Sequence, residues 1–272
     1  MSQTYKHFNI TFPVPFVAHV EINRPEKLNA FFQEMWLEYA QVFNTLSHSL
    51  DVRCIILSGA GPTFTAGLDI RKASLNFSGS DGARKAWEIK RYMGEFQDCI
   101  SASEKCEKPV ICVLHGYSLG LAIDIACTAD IRISSVDAKL AVKEVDIGLA
   151  ADIGTLSRLP KIVGSLSWVK DVTLSARIFS AEEALRVGFV STVESDKEAA
   201  VRKAVEMAGL IAAKSPVAVQ GTKAIVNWSV DRTVADGLAY TQVWNAAALQ
   251  TGDVREAVGA TLEKRKPRFE KL

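Results

Sequence analysis

Apolar and polar positions change period several times along this chain of 272 residues. Two alternating stretches open it, HFNITF and FVAHVEIN, with Pro13 and Pro15 between them as turn punctuation, and they predict two short strands. From Asn29 to about Leu50 the spacing shifts. Phe32, Trp36, Ala40, Val42 and Phe43 recur mostly three or four apart, as on one face of an amphipathic helix. RCIILSG then reads as a buried parallel strand ending at Gly59. The order repeats: a helical segment over 83–103, the strand PVICVLHG, a short helix from near Leu119, and the strand ADIRISS. Strand and helix alternating in this way imply crossover connections and a largely parallel sheet, an α/β architecture.

After Ser180 the character changes. SAEE predicts a helix start, with Ser180 as N-cap and Glu183 as the capping-box partner, and GFVSTV predicts a last strand. From Asp196 onward the pattern is helical: one helix over Lys197–Lys214, a second opening at Ser215-Pro216, and two more to the end. The chain therefore divides into a core over 1–195 that carries the candidate chemistry and a helical C-terminal region over 196–272. The aromatic residues of that region, Trp228, Tyr240 and Trp244, suit either capping of the core or contact between subunits.

Composition narrows the function classes. With 32 basic and 31 acidic residues the net charge is +1, which leaves no electrostatic footprint for nucleic acid or an anionic membrane. No apolar stretch has the length of a membrane span. Cys54, Cys99, Cys106, Cys112 and Cys127 are odd in number and lack CxxC spacing, so they read as buried free thiols in a reducing compartment. Four histidines form no ligand cluster, so no metal site is expected. Glu270-Lys271-Leu272 matches the peroxisomal Ser-Lys-Leu address in its last two positions, and a chance ending accounts for it equally well. The peroxisome is the expected compartment, with cytoplasm or mitochondrion as alternatives.

Three loops adjoin the buried strands, where open α/β sheets place their ligands. SGAGPTFTAGLDI (58–70) is rich in glycine but has neither the Walker nor the dinucleotide spacing, and an ordinary strand-to-helix turn explains it as well. HGYSLGLAID (115–124) ends on Asp124 in apolar surroundings, where an acid is costly unless it is paired, by caps or by Arg132, or functional. VKEVDIGLAADIG (142–154) sets Glu144, Asp146 and Asp152 among Val, Ile, Leu and Ala. Two acids facing one apolar cavity have raised and separated pKa values, the arrangement that general acid–base pairs require.

Taken together, NRPEKLNAF, GPTFTAGLDI, KPVICVLHGYSLGLAID, KEVDIGLAADIGTLSRLPKIVG, FSAEEALRVGFVSTV and SPVAVQGTK resemble the enoyl-CoA hydratase/isomerase (crotonase) family in order and spacing over nearly the whole chain. The resemblance implies a ClpP/crotonase-like spiral of ββα units with a helical C-terminal region, assembled as a homotrimer or homohexamer. It also implies an acyl-CoA thioester substrate and no cofactor. Carried over by position, the backbone N–H groups of Leu68 and Leu121 form the oxyanion hole. Lys27, Ala30, Ala66, Gly67 and Gly120 lie where the family holds CoA and the thioester. Leu121 departs from the family, which commonly has glycine there, and this bears on acyl-chain specificity.

The acids suggest the branch. Family hydratases use glutamates at the positions of Asp124 and Glu144, and here the first is the shorter aspartate. The stretch KEVDIGLAAD is similar to dienoyl-CoA isomerases, whose Asp, Glu, Asp set maps onto Asp124, Glu144 and Asp152. That resemblance implies conversion of 3,5-dienoyl-CoA to 2,4-dienoyl-CoA in fatty-acid β-oxidation. Glu144 would take the proton at carbon two, Asp152 would give one at carbon six, and Asp124 would orient Glu144. The alternatives are 2-enoyl-CoA hydration or a 3-enoyl to 2-enoyl shift on the same fold, a non-catalytic acyl-CoA-binding or scaffold protein, and a biosynthetic enzyme acting on a polyketide-like thioester.

Overall fold

The computed structural model describes residues 4–72 and 77–272. Strands β1 (Phe8–Val14) and β2 (Val17–Ile22) pair antiparallel, as the opening alternation predicts. A 3-10 turn at Pro25–Lys27 leads to helix α1 (Gln33–Ser47). The helix begins at Gln33 and not at Asn29, because Leu28 and Asn29 both adopt left-handed backbone, with φ of 51° and 56°. Asn29 tolerates that conformation through its own hydrogen bonds: its side chain accepts from the Arg24 amide and donates to the carbonyls of Ala60 and Thr63.

Next come β3 (Cys54–Gly59), α2 (Gly82–Ile100), α3 (Ala102–Lys105) and β4 (Val110–Leu114). They are followed by β5 (Tyr117–Leu119), α4 (Leu121–Thr128), β6 (Ile131–Ser135) and β7 (Lys139–Ala141). After a 3-10 turn at Glu144–Ile147 the chain forms α5 (Thr155–Ile162), α6 (Leu166–Ser175), β8 (Phe179–Ser180), α7 (Ala181–Arg186) and β9 (Thr192–Glu194). Helices α8 (Lys197–Ala212), α9 (Pro216–Ser229), α10 (Val234–Ala248) and α11 (Asp253–Leu262) complete it.

Six strands form one sheet in the order β1-β2-β3-β4-β6-β9, parallel apart from the first pair. A second sheet, β5-β7-β8, stands beside it. Its strands are three, three and two residues long, too short for periodicity to reveal. The large sheet is covered on both faces, and this explains the uninterrupted apolar runs of β3 and β4. Ile55 and Leu57 belong to the main core with α1, whereas Cys54 and Ile56 face a second cluster under α8. Helix α8 approaches closely because Ala200, Ala204, Ala208 and Ala212 form a small-residue stripe at four-residue spacing. All five cysteines are free and buried, as expected.

The Ser180 cap forms only by half. Ser180 Oγ accepts from the Glu183 amide, but the Glu183 carboxylate binds Arg177 and Trp168 and does not close the box. At α9, Ser215 accepts from the Ala218 amide and Pro216 occupies the first turn, as predicted.

Candidate active site

Two glycine loops meet at the carboxyl ends of the strands. Thr65 forms an isolated parallel bridge with Ser118, so the 61–70 loop runs alongside β5. Gly67 lies so close to this neighbour that a Cβ on it would sit 2.7 Å from the Leu119 carbonyl oxygen and 3.6 Å from the Leu121 nitrogen. Its φ of +94° is also one that glycine alone adopts without strain. A second bridge pairs Phe31 with Leu68, using the Phe31 amide on the Gly67 carbonyl and the Asp69 amide on the Phe31 carbonyl. The Leu68 N–H takes no part in that bridge. Leu121 is the first residue of α4, where the N–H has no preceding turn to bond, and Gly120 before it turns the chain with φ of 54°. The two amides expected as oxyanion donors therefore come from loops in contact, one of them at a helix N-terminus whose dipole favours negative charge. Leu121 itself is 4% exposed and packs in the main core.

The predicted acids gather beside this pair. Glu144 opens the 3-10 turn after β7 and is half-buried, and its Oε1 lies 3.1 Å from where a Gly120 Cβ would stand. Its Oε2 is buried without a hydrogen-bond partner among the described residues. Burial, with a contribution from Asp152, raises the Glu144 pKa. Asp124, one turn into α4, is 1% exposed. Its Oδ1 accepts from both the amide and the hydroxyl of Thr155, each at 2.7 Å. Burial pushes its pKa up to about 7 against the opposing Thr155 bonds, and the nearby charges of Glu144 and Asp152 raise it further. Arg132, the partner considered from sequence, instead donates to the carbonyls of Phe189, Ala126 and Ala129. Asp146 is exposed and paired with Lys143 at 2.7 Å, which separates it from the acid group.

Asp152 differs from expectation in its setting. Its side chain is not enclosed by apolar groups; the residue is exposed at the rim. Partial desolvation still raises its pKa, and its carbonyl accepts from Gln97 Nε2 at 2.6 Å. It also lines a groove of about 1170 Å³ that runs between α2, α5, α8 and α9. That groove does not include Glu144, Gly67 or Gly120.

The residues expected near CoA form one rim. Ala66 N–H donates to the Leu28 carbonyl, Thr65 Oγ1 donates to the Asn29 carbonyl, and Gly67 N–H donates to Thr65 Oγ1. Ala30 and Ala66 are partly accessible there, and Lys27 is exposed at the end of its turn. Arg24, which opens the 24–30 segment that the resemblance places at CoA, donates from Nη1 to the Ala30 carbonyl at 2.6 Å and to Asp69 at 2.8 Å. Sequence reasoning missed Thr155, whose signal was its place just after Gly154 at a helix start.

Comparison with known proteins identifies the family. Residues 15–271 match the family described as Enoyl-CoA hydratase/isomerase. The chain belongs to the enoyl-CoA hydratase/isomerase family. Within the family it is 42% identical over 264 residues to a protein of Mus musculus named Delta(3,5)-Delta(2,4)-dienoyl-CoA isomerase, mitochondrial, covering 96% of this chain and 81% of the relative. It is equally 42% identical over 260 residues to the protein of Arabidopsis thaliana named Delta(3,5)-Delta(2,4)-dienoyl-CoA isomerase, peroxisomal, covering 94% of this chain and 93% of that one. A crystal structure of an enoyl-CoA hydratase from Bacillus anthracis superposes with a TM-score of 0.89 at 24% identity, covering 97% of this chain and 99% of that one. That likeness gives the crotonase fold expected from the sequence resemblance.

In this family member, Gly67→Ala should be damaging without touching an acid. The added methyl would meet the Leu119 carbonyl at 2.7 Å and push apart the two loops that carry the expected oxyanion donors. Turnover is expected to fall by roughly 10²–10³, the cost of a displaced oxyanion donor. Steady-state kinetics on the folded variant would check this, and an undiminished kcat would mean that the amides of these loops do not hold the thioester.

Proposed function

We propose that this chain is an isomerase that converts 3,5-dienoyl-CoA into 2,4-dienoyl-CoA. The observation that carries the proposal is the juxtaposition of three carboxyls, all with raised pKa values, beside the contact between the Gly67 loop and the Leu121 helix start, whose amides the resemblance makes the thioester donors. The relatives' names point to the same reaction. The thioester oxygen is placed against the Leu68 and Leu121 N–H groups. The Glu144 carboxylate removes a proton from carbon two, and the electron pair moves into a dienolate whose negative oxygen the two amides stabilise. Asp152, in its acid form, delivers a proton to carbon six, giving the 2,4-diene. Glu144 then holds a proton that Asp152 has lost, and exchange between them or with water restores the starting state. The step moves protons and double bonds only, so it needs no electron carrier.

A hydratase reading asks the residue at 124 to help hold the attacking water. Asp124 is almost fully buried and one of its oxygens already accepts two bonds from Thr155, which disfavours that role. The rim formed by Lys27, Ala30, Ala66 and Gly67 takes the CoA portion, with Lys27 available to a phosphate. Exposed Val234, Leu238 and Val243 on α10 suit assembly with further copies of the chain, as in the trimers or hexamers implied by the resemblance. The relatives divide between compartments by name, and the expected peroxisome is that of the Arabidopsis protein.

The direct test supplies a 3,5-dienoyl-CoA and follows the rise in ultraviolet absorbance as the 2,4-diene conjugates with the thioester, with a 2-enoyl-CoA run as the hydration control. Rapid diene conversion with poor hydration is expected. Hydration without diene conversion would reject the isomerase assignment. Asp152→Asn should keep the fold and reduce diene conversion by on the order of 10²–10⁴. Circular dichroism and the same absorbance assay would check it, and a fully active variant would remove Asp152 from the mechanism.

A further inference from the structure

Thr155 is the first residue of α5, and its N-cap, Gly154, has no side chain with which to cap the helix. The missing cap comes from another helix: Asp124 of α4 accepts the Thr155 amide and the Thr155 hydroxyl on the same oxygen, Oδ1, both at 2.7 Å. Two donors on one oxygen leave Oδ2 as the better place for a proton, because a proton on Oδ1 would face two others already aimed at it. The Thr155 corner is itself braced. Gly154 has a φ of +146°, and a Cβ there would overlap the Arg158 guanidinium. Arg158 donates to Glu104 from Nη2 at 2.7 Å and to Ser101 Oγ at 2.9 Å, locking α5 against α3.

We propose that Thr155 is a positioning residue of the acid–base site, which by holding Asp124 Oδ1 with two donors reserves Oδ2 as the oxygen that takes up and releases the proton. This rests on the isomerase reading for its catalytic consequence, though not for the titration itself. The groups around Asp124 are Glu144 on the 3-10 turn, Asp152 before α5, Cys127 on its own helix, and Arg158 with its partner Glu104. The two acids nearest in the site push its proton affinity up, and the Thr155 bonds pull it down. Removing the hydroxyl alone therefore raises that affinity, while the α5 amide contact remains.

The experiment compares Thr155→Val, Thr155→Ala and Thr155→Ser with the parent protein. Infrared difference spectra across a pH titration give the Asp124 carboxyl band, identified by its loss in Asp124→Asn, and the pH profiles of kcat and kcat/KM are measured alongside. In Thr155→Val and Thr155→Ala the Asp124 titration should move up by about one pH unit, the scale of one hydrogen bond to a charged group. Any limb of the activity profile that is lost in Asp124→Asn should move with it while KM stays within about twofold. Thr155→Ser, which keeps the hydroxyl, should restore both. An unmoved titration in folded Val and Ala variants, even with lower stability, would reduce Thr155 to a helix cap and overturn the proposal. A shifted titration in a protein without diene conversion would support the positioning role and reject only the isomerase reading.

Discussion

Glu144→Gln should lower the turnover of a 3,5-dienoyl-CoA by on the order of 10³, within the usual range for losing a general base, with little change in KM. Glutamine keeps the shape of the side chain and its place over Gly120 but cannot accept a proton at neutral pH. The effect belongs to kcat because the base acts on the reacting carbon and not on the CoA moiety. Glu144 has a raised pKa, chiefly from burial. Its ionised, active form is therefore lost at a higher pH than for an exposed glutamate. The acidic limb of the parent pH profile should lie above the ordinary carboxylate range and should vanish in Glu144→Gln. Stopped-flow absorbance from pH 4 to 9 would measure both quantities. Retention of the limb in the variant would assign the base to another residue.

The second large effect is on stability, and its sign is opposite to that expected from losing an active-site group. Burial lifts Asp124 from 3.8 to about 7 in the folded protein. The native state then keeps a proton that the unfolded chain releases near the ordinary aspartate value. The favourable contribution of that proton is complete below the unfolded pKa and is lost as pH rises through about 7. By pH 8 the buried charge costs up to about 4 kcal/mol relative to acid conditions. Glu144 and Asp152, also raised, act in the same direction. Asp124→Asn keeps an oxygen for the two Thr155 donors and cannot ionise. It should therefore be more stable than the parent protein at pH 8 by up to about 4 kcal/mol, with that advantage falling to about 2 kcal/mol at pH 5 and vanishing below the unfolded pKa, and much less active. Urea unfolding of both proteins at the two pH values would check this. Equal stability at pH 8 would mean that the site solvates Asp124 well enough to remove its penalty.

Much of the α/β order is written locally. The alternation in β1 and β2, the apolar runs of β3 and β4, and the three-four spacing of α1 each depend on neighbours within a few residues, so period alone reveals them. The caps at Ser180 and Ser215 are also local, because the hydroxyl and the amide it bonds are three residues apart. The start of α1 was misplaced since the left-handed turn at Leu28 and Asn29 is held by contacts to Ala60 and Thr63, far along the chain. Strands β5 and β7 escaped notice because their pairing partners, and not their own three residues, make them strands.

By itself the sequence determined the alternating fold, the family resemblance, and the identities of Asp124, Glu144 and Asp152 as the acids to watch. What each acid does in its surroundings depends on the folded arrangement. It gave Asp124 to Thr155 and not to Arg132, left Glu144 Oε2 buried without a hydrogen-bond partner among the described residues, and placed Asp152 at an exposed rim. The reason is that a carboxyl's proton affinity depends on desolvation and on charges and donors within a few ångströms. Those neighbours come from α4, α5 and the Glu144 turn, and only folding brings these segments together.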